Sequence, residues 1–390
     1  MRKIAIITGT RADFGHLLPV IQALKSRTEH FQLQIIVTGS HLLEQHGRTA
    51  NAITKAGIEI DDTVDILLAS NSPRGVAKAM GLATLGFTES FERLQPDAIM
   101  VLGDRFELLS ACQVALVMNI PILHIHGGEV TTGAFDDSIR HSITKMSTLH
   151  FVAAEPYRRR VIQLGEAPKT VHNVGAPGLD HLKTLDWLSK EELAQDLGIE
   201  FSSQIFVMTY HPVTRDPDAG IAELEPVLDA LNQFPKATVI MTHANADNSG
   251  DKITHRLEAF MRGAPKQRLL VASLGQLRYL SLIRLADLVI GNSSSGLIEV
   301  PALRKPTVNI GERQGGRLRA PSVIDTPGHE PAIVKAIHKA LSSEMGATLQ
   351  TMTALYGEGE AGEAIAKILE GPWPTGHKTF FDLQVATETG

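Results

Sequence analysis

Residues 97–129 decide the fold class, and they read DAIMVLGDRFELLSACQVALVMNIPILHIHGGE. One short apolar run ends at Asp104, residues 105–119 form a helical stretch, and a second apolar run covers residues 121–128. Apolar runs without polar alternation are typical of strands in a parallel sheet that is covered on both faces. This stretch therefore predicts a strand, a helix and a second strand, the repeating unit of a doubly wound α/β layer.

The same pattern recurs on both sides of this stretch. The strands fall into two groups, before about residue 175 and after about residue 204, and two such units usually face each other across a cleft. We predict an α/β fold with two Rossmann-like domains, one spanning residues 1–175 and one spanning 176–375, with a closing helix near 360–370 and a tail at 376–390. The other predicted strands lie at residues 3–9, 33–39, 149–154, 204–212, 237–245, 268–273, 287–292 and 306–311.

Composition excludes several classes of protein. The chain has 390 residues, of which 43% are hydrophobic and 21% are charged, so it is neither disordered nor fibrous. Its net charge of −6 argues against a broad nucleic-acid surface. The single cysteine, Cys112, excludes an intrachain disulfide and fits a reducing cytosol. Since no apolar run reaches the roughly 18 residues of a spanning helix, we expect a soluble cytoplasmic protein without membrane or nucleic-acid partners.

Two polar motifs follow predicted strands in the first half, at the strand ends where ligands bind in such sheets. GTRADFG (9–15) places Arg11 and Asp13 between two glycines, either to bind an anion or as a tight turn capped by Asp13. GDRFE (103–107) makes Asp104 either a helix N-cap or an acid/base group, with Arg105 nearby. Neither motif is G-x-G-x-x-G or a P-loop, which argues against a standard NAD or ATP site.

The densest polar cluster is HIHGGEVTTGAFDDSIRH (124–141). His124 and His126 alternate along a strand and share one face, Glu129 follows two glycines, and Asp136 and Asp137 precede a helix. The histidines and carboxylates suggest a metal site, acid/base groups, or an N-cap with polar loop residues. No third histidine lies at ligand spacing, so the pattern favours acid/base chemistry.

In the second half, TYHPVT (209–214) contains His211, which Pro212 holds in an extended conformation. THANADNSG (242–250) contains Asn245 among residues that suit turns. Both follow predicted strands, so both are candidate ligand contacts or ordinary loop residues.

GNSSSGLIEV (291–300) is the most specific local signal. It predicts a helix that starts near Ser294, with unpaired N–H groups and the hydroxyls of Ser293 and Ser294 arranged for a diphosphate. Glu299 would lie one turn into this helix, where it could accept hydrogen bonds from a ribose. NIGERQGGRLR (309–319) adds Arg313 in a basic loop.

Seven motifs in this order resemble the hydrolysing UDP-N-acetylglucosamine 2-epimerases of the sialic-acid pathway, often called the NeuC type. The motifs are GTRADFG, GDRFE, HIHGGE, DDSIRHSITKMS, HPVT, GNSSSGLIE and GERQGGR. The resemblance implies a GT-B-like pair of domains that converts UDP-GlcNAc to ManNAc and UDP. It implies elimination of UDP to give 2-acetamidoglucal, followed by addition of water. It also implies no cofactor, no catalytic metal, and a homo-oligomer, either a dimer or a tetramer.

The resemblance also assigns roles to residues. The resemblance implies that Asp104 and Asp136 are the acid/base residues and that residues of the C-terminal half bind the diphosphate. Some relatives carry Glu where this sequence has His126, so either Glu129 substitutes for that Glu or His126 itself takes a proton. The loop before the Asp pair is one residue longer here than in the family, so Asp136 and Asp137 could exchange roles. The implied substrate contacts are Arg11, Asp13, Arg105, His211, Asn245, Ser293, Ser294, Glu299 and Arg313.

Three alternatives stay open at this point. The same chemistry could act on UDP-2,4-diacetamido-2,4,6-trideoxyglucose. The fold and the phosphate-binding turn also suit a GT-B glycosyltransferase, which would need an acceptor. A nucleotide-sugar-binding regulator without turnover is the third alternative.

Overall fold

The computed structural model describes residues 1–42, 49–66, 72–130, 136–211, 219–242, 250–271, 274–374 and 378–383. The chain forms two compact units, each built on a parallel β-sheet flanked by helices. The first unit comprises Met1–His181 and Tyr356–Gly390, and the second comprises Leu182–Leu355. The predicted α/β fold with two Rossmann-like domains is confirmed.

The first unit has a seven-stranded sheet among its described residues, with the order β3-β2-β1-β4-β5-β6-β7. The order reverses between β1 and β4, and ligands bind at such a switch point in open parallel sheets. The strands are β1 Arg2–Thr8, β2 Phe31–Thr38, β3 Asp62–Val64, β4 Ala98–Leu102, β5 Ile122–Ile125, β6 Leu149–Val152 and β7 Val171–Asn173. The helices are α1 Arg11–Lys25, α2 Ala50–Lys55, α3 Pro73–Leu94, α4 Phe106–Val117, α5 Asp136–Met146, α6 Glu155–Gln163 and, from the end of the chain, α15 Ala361–Glu370.

The second unit repeats this architecture with a six-stranded sheet in the part of it that the structure describes. Its order is β10-β9-β8-β11-β12-β13, so its switch point lies between β8 and β11. The strands are β8 Gln204–Thr209, β9 Ala237–Thr242, β10 Arg268–Val271, β11 Leu288–Gly291, β12 Thr307–Ile310 and β13 Val323–Thr326. The helices are α7 His181–Thr184 at the junction, α8 Lys190–Leu197, α9 Ala219–Asn232, α10 Gly250–Arg262, α11 Gly275–Leu285, α12 Glu299–Ala302, α13 Glu330–Ala340 and α14 Ser343–Thr351.

Both faces of each sheet are covered, which explains why the strands are continuously apolar. In β1, Ile4 and Ile6 pack in one buried cluster, whereas Ala5 and Ile7 pack in another on the opposite face. All ten apolar runs predicted from the sequence contain strands. Three strands, β3, β7 and β13, were not among the predicted ones. They are three or four residues long and lie at sheet edges, where polar residues interrupt the apolar pattern.

The closing helix corrects the predicted domain limits. Residues 176–375 were assigned to the second domain, but α15 packs against α1 of the first unit. Ile365 and Leu369 of α15 join the buried cluster around Leu17. Arg27, at the C-terminal end of α1, forms ion pairs with Glu363 at 2.7 Å and with Glu370 at 2.6 Å.

The predicted tail is corrected as well. Part of the 376–390 region, residues 378–383, lies against the first unit. The backbone N–H of Phe381 donates to the carbonyl of Gly165 at 2.9 Å. A search of the described residues finds no helix long and apolar enough to cross a membrane.

Candidate functional site

Asp13 and Arg105 meet at the switch point of the first sheet. Thr10 caps α1 by accepting a 3.1 Å hydrogen bond from the backbone N–H of Asp13, so the alternative in which Asp13 is the cap is wrong. Arg105 Nε lies 4.0 Å from Asp13 Oδ2 and bonds more closely to Glu107. Burial raises the pKa of Asp13, although Arg105 opposes that shift. Arg11 is exposed at the start of α1.

The glycines here make room for a carboxylate of the chain itself. A Cβ at Gly9 would lie 2.5 Å from Oε1 of Glu107, which is fully buried. Gly39 has a φ of +57° and approaches the same carboxylate from the end of β2. Glu107 was not among the site residues predicted from the sequence. Its carboxylate bonds to Arg105 and holds that side chain beneath the loop that follows β1.

Arg140 draws together two predicted acid/base residues. It lies on α5, is buried, and donates to Asp104 at the end of β4, while its Nη1 lies 3.7 Å from Asp137 Oδ1. Arg105, not Asp104, occupies the N-cap position of α4, so the capping interpretation of Asp104 is wrong. Asp136 is the first residue of α5 and is half-buried.

His126 and Glu129 form the second pair of this cluster. His126 follows β5 with a φ of +65°, and its Nδ1 bonds to the Glu129 carboxylate. A non-glycine residue with such a φ is strained by about 1–3 kcal/mol, and strain of this kind concentrates at functional sites. The ring of His16 on α1 lies 6.3 Å from that of His126. Burial, helped by His126 and His181, lowers the pKa of His16 to about 4.

His124 has a structural role that separates it from His126. It is fully buried, its Nε2 donates to the carbonyl of Gly103 at 2.9 Å, and its Nδ1 accepts from the Thr144 hydroxyl at 3.2 Å. Burial lowers the pKa of His124 to about 3, which matches a neutral ring with both nitrogens engaged. The described residues contain no group of three His, Cys, Asp or Glu arranged to hold a metal ion.

In the second unit, Asn292 connects the ends of two strands and a loop. Its Oδ1 accepts from the backbone N–H of His211 at 2.7 Å, and its Nδ2 donates to the His211 carbonyl at 2.9 Å. Its own carbonyl accepts from Arg313 at 3.0 Å and from Gln314 at 2.8 Å. Asn292 is fully buried and thus brings two predicted substrate contacts, His211 and Arg313, to one place. The sequence feature that could have identified Asn292 is its position, since this amide side chain directly follows the buried strand LVIG.

The serine turn that follows β11 differs from the prediction. Ser293 caps a 3₁₀ turn, Ser294–Gly296, by accepting a 3.4 Å hydrogen bond from the backbone N–H of Ser295. The chain then forms a separate four-residue helix, α12, instead of one helix that starts near Ser294 or Ser295. The expected helix macrodipole is therefore missing, and the turn offers only its N–H groups and hydroxyls.

Two local features interrupt that helix. The Gly296 carbonyl accepts a 2.6 Å hydrogen bond from the Thr307 hydroxyl, which takes the place of a helical donor. Pro301 has no N–H to offer to the carbonyl of Leu297.

Glu299, the first residue of α12, has an environment that suits an uncharged carboxyl. Burial raises the pKa of Glu299, and Ser295 and Arg317 counteract it only in part. Burial also raises the pKa of the nearby Tyr279 hydroxyl to about 12. Asn245, the remaining predicted contact, lies outside the described residues.

Comparisons with known proteins identify the family of this chain. The sequence model of the family described as UDP-N-acetylglucosamine 2-epimerase matches residues 22–370. The chain is 41% identical to the GDP/UDP-N,N'-diacetylbacillosamine 2-epimerase (hydrolyzing) of Campylobacter jejuni, covering 83% of this chain and 84% of that protein. It is 38% identical to the polysialic acid biosynthesis protein P7 of Escherichia coli, covering 91% of this chain and 90% of that protein.

A solved structure supports the fold. It is the UDP-GlcNAc 2-epimerase of Neisseria meningitidis bound to UDP-GlcNAc, with a TM-score of 0.76 at 18% identity, covering 94% of this chain and 99% of the other. The resemblance drawn from the seven motifs is confirmed.

Proposed function

The chain belongs to the UDP-N-acetylglucosamine 2-epimerase family, and on this premise we propose that it is a hydrolysing 2-epimerase. In the proposed reaction, a UDP-2-acetamido sugar and water give the free sugar with inverted C2 and UDP. The observation that carries the proposal within the fold is the Arg140 contact with both Asp104 and Asp137. It gathers one carboxylate from the carboxyl end of β4 and one from the first turn of α5, where proton transfer to and from a sugar is feasible.

The proposed reaction has two stages. In the first, a base removes the C2 proton and the C1–O bond breaks, so that UDP leaves and a 2-acetamidoglucal remains. In the second, the hydroxyl of a water molecule adds to C1 and a proton returns to C2 from the opposite face. Because the C2 proton is weakly acidic, C1–O cleavage runs ahead, and the transition state carries positive charge on the ring and negative charge on the diphosphate.

Residues of the first unit suit the proton transfers. Arg140 holds the Asp104 carboxylate in place by a charge-assisted hydrogen bond, so that this carboxylate can face a cationic ring and exchange a proton with the sugar. The bond between His126 and Glu129 provides a second pair through which a proton can be exchanged. The proposed acid/base group is Asp104, Glu129, His126, Asp136 and Asp137.

Residues of the second unit suit the leaving diphosphate. Asn292 holds His211 and Arg313 close together, and the turn at Ser293 and Ser294 adds N–H and hydroxyl donors. Fixed donors placed where negative charge develops can lower a barrier by about 3 kcal/mol each. We assign the ribose to Glu299, because a carboxyl that follows the serine turn after β11 can accept hydrogen bonds from ribose hydroxyls.

Arg11, Asp13 and Arg105 stay proposed substrate contacts in the first unit. Arg105 already bonds to Glu107 and lies near Asp13. We therefore expect it to attract the substrate by its positive charge more than by a bidentate hydrogen bond.

Among the two candidate substrates, we favour UDP-N,N'-diacetylbacillosamine, a 2,4-diacetamido-2,4,6-trideoxy sugar. The relative at 41% identity carries that activity in its name, as does a Legionella pneumophila relative at 34% identity. UDP-GlcNAc is the second candidate, since a Neisseria meningitidis relative at 33% identity is named for it.

One experiment tests both the reaction and the substrate. The protein is incubated in D₂O with each UDP-sugar in turn, and the products are followed by NMR. The proposal predicts UDP release, a free 2-epimerised sugar and deuterium at C2, with the higher kcat/KM on the diacetamido substrate. Accumulation of an epimerised UDP-sugar without free sugar would identify a non-hydrolysing epimerase, and turnover that requires an acceptor would identify a glycosyltransferase.

A further inference from the structure

A buried ionic cluster in the first unit has no part in the proposed chemistry. Glu166 follows α6 and is only 1% exposed, yet three cationic or polar groups converge on it. Its Oε1 lies 2.7 Å from Lys145 Nζ, and its Oε2 lies 2.7 Å from Lys378 Nζ and 3.0 Å from His150 Nε2. Glu166 and His150 of this cluster are buried, whereas the side chains of Lys145 and Lys378 are 39% and 35% exposed. The consequence of the cluster is geometric, because it fixes where the Lys378 ammonium lies.

Lys378 uses its remaining donors on the end of α5. Its Nζ lies 2.7 Å from the carbonyls of Lys145 and Ser147 and 3.4 Å from that of Thr144. Thr144 and Lys145 lie in the last turn of α5, whose carbonyls have no partner within the helix itself, and Ser147 directly follows the helix. A positive charge at this position is also stabilised by the negative end of the helix dipole. Lys378 is thus a C-terminal cap supplied from more than 230 residues away in the sequence.

The other end of α5 carries the proposed acid/base residues. Asp136 and Asp137 open the helix, and Arg140 reaches Asp104 from its second turn. A second connection runs through Thr144, whose hydroxyl contacts His124, which in turn bonds to the carbonyl of Gly103 just before Asp104. Any shift of α5 would therefore move Asp104 as well as the residues on the helix.

The sequence of α5 does not hold the helix in place without contacts from other elements. The helix has 11 residues, DDSIRHSITKM, with two isoleucines, a threonine and two serines, all weaker helix formers than alanine or leucine. Isolated helices of this length are marginal in water, so tertiary contacts at both ends decide where α5 lies.

We propose that Lys378 is a positioning residue, through which the C-terminal segment 378–383 fixes α5 and with it Asp104, Asp136 and Asp137. The inference rests on the proposed function for its catalytic consequence. It does not need that function for its structural consequence, the ordering of α5.

The test compares three variants of the full chain. Lys378→Met removes the charge and donors but keeps most of the aliphatic stem, and Lys378→Arg keeps the charge. Lys367→Met, at an exposed position on α15, is the matched control. For each variant, kcat and KM for UDP release, the dissociation constant of UDP, and amide hydrogen exchange of peptides from α5 and α13 are measured.

For Lys378→Met we expect kcat to fall about tenfold to hundredfold, the scale expected for misplacing a reacting group by about 1 Å. KM and the UDP dissociation constant should change by less than about twofold, because the proposed UDP contacts lie mostly in the second unit. Exchange should accelerate in α5 and not in α13. Lys378→Arg should recover part of the lost kcat, and Lys367→Met should match the wild type.

A wild-type kcat in Lys378→Met, or unchanged exchange in α5, would overturn the inference. A second result would also overturn the inference: amide exchange that accelerates equally throughout the first unit, together with a kcat that Lys378→Arg does not recover. Lys378 would then be only a stabilising contact. If the wild type itself released no UDP from any UDP-sugar, the proposed function would fail, and the exchange data alone would decide whether Lys378 orders α5.

Discussion

At the scale of single residues, buried side chains determine how the candidate site is arranged. Arg140 gathers Asp104 and Asp137, and Asn292 gathers His211 and Arg313. Neither Arg140 nor Asn292 was assigned a role from the sequence. Each of the two residues bonds to groups on other elements of the fold, and a local sequence motif does not reveal such contacts.

Asp104→Asn tests the proposed acid/base group directly. The substitution keeps the size of the side chain but removes its charge, so a base or a charge partner is lost. We expect kcat for UDP release to fall about 10²-fold to 10⁴-fold, the usual contribution of general acid–base catalysis. The dissociation constant of UDP, measured by calorimetry, should stay near that of the wild type.

The control for this variant is Asp196→Asn, which changes an exposed carboxylate on α8 that pairs with Arg278. Its kcat should equal that of the wild type. Asp104→Asn with more than about a third of the wild-type kcat would rule out an acid/base role for Asp104.

Glu166→Gln should make stability less dependent on pH in the acid range. Burial opposes the charge of Glu166, but hydrogen bonds from His150, Lys145 and Lys378 outweigh it and lower its pKa from 4.5 to about 2. The carboxylate therefore stabilises the fold fully above about pH 4.5, and this stabilisation is lost as the pH falls to about 2. A shift of this size corresponds to about 3 kcal/mol.

The measurement is urea-induced unfolding of the wild type and Glu166→Gln between pH 7 and pH 2. The difference in unfolding free energy should be largest at pH 7 and shrink below pH 4.5. Glu344→Gln, at an exposed position on α14, serves as the control. A difference that stayed constant down to pH 2 would contradict the assigned pKa.

At the scale of elements, the turn after β11 shows how backbone constraints shape the second unit. Gly291 ends β11 beside Thr209 of β8, in a conformation with a φ of +138°. A Cβ at this position would lie 2.0 Å from the Thr209 carbonyl oxygen. The same turn then delivers Asn292 and Ser293, so the close approach of these strands sets the position of the proposed diphosphate contacts.

Gly291→Ala should therefore destabilise the second unit strongly. Both the backbone conformation and the clash oppose a Cβ, and together they should cost about 2–5 kcal/mol. Gly346→Ala, in the interior of α14 with open space around it, should stabilise the same unit by about 0.5–1 kcal/mol. Thermal unfolding of the two variants would show opposite shifts, and a neutral Gly291→Ala would contradict the described geometry.

At the scale of the whole molecule, the chain builds two units and returns to the first at its end. The first unit needs α15 because Ile365 and Leu369 complete the apolar cluster on one face of its sheet. The two tryptophans report on the units separately, since Trp187 lies in the second unit and Trp373 in the first.

Ile365→Ala should destabilise the first unit and leave the second one unchanged. Truncating a fully buried isoleucine to alanine costs about 2–5 kcal/mol. In a Trp187→Phe background, the fluorescence of Trp373 should show unfolding at lower urea concentration. In a Trp373→Phe background, Trp187 should show an unchanged midpoint, and a shift there would mean that α15 also supports the second unit.

The fold class, ten of the strands, the family, and the motifs from which the site residues were chosen could all be predicted from the sequence. Those features depend on local patterns, since a strand buried on both faces is continuously apolar and each motif lies within 18 residues of sequence. The homo-oligomer and the cytoplasmic location stay predictions.

The pairing of Arg140 with Asp104, the Asn292 contacts, the return of α15, and the cap that Lys378 places on α5 became visible only in the folded chain. The fold also has a 3₁₀ turn and a four-residue helix where one phosphate-binding helix was predicted. The physical reason is common to all of these features. Each depends on the distance and burial of groups that are far apart in the chain, and local periodicity carries no information about them.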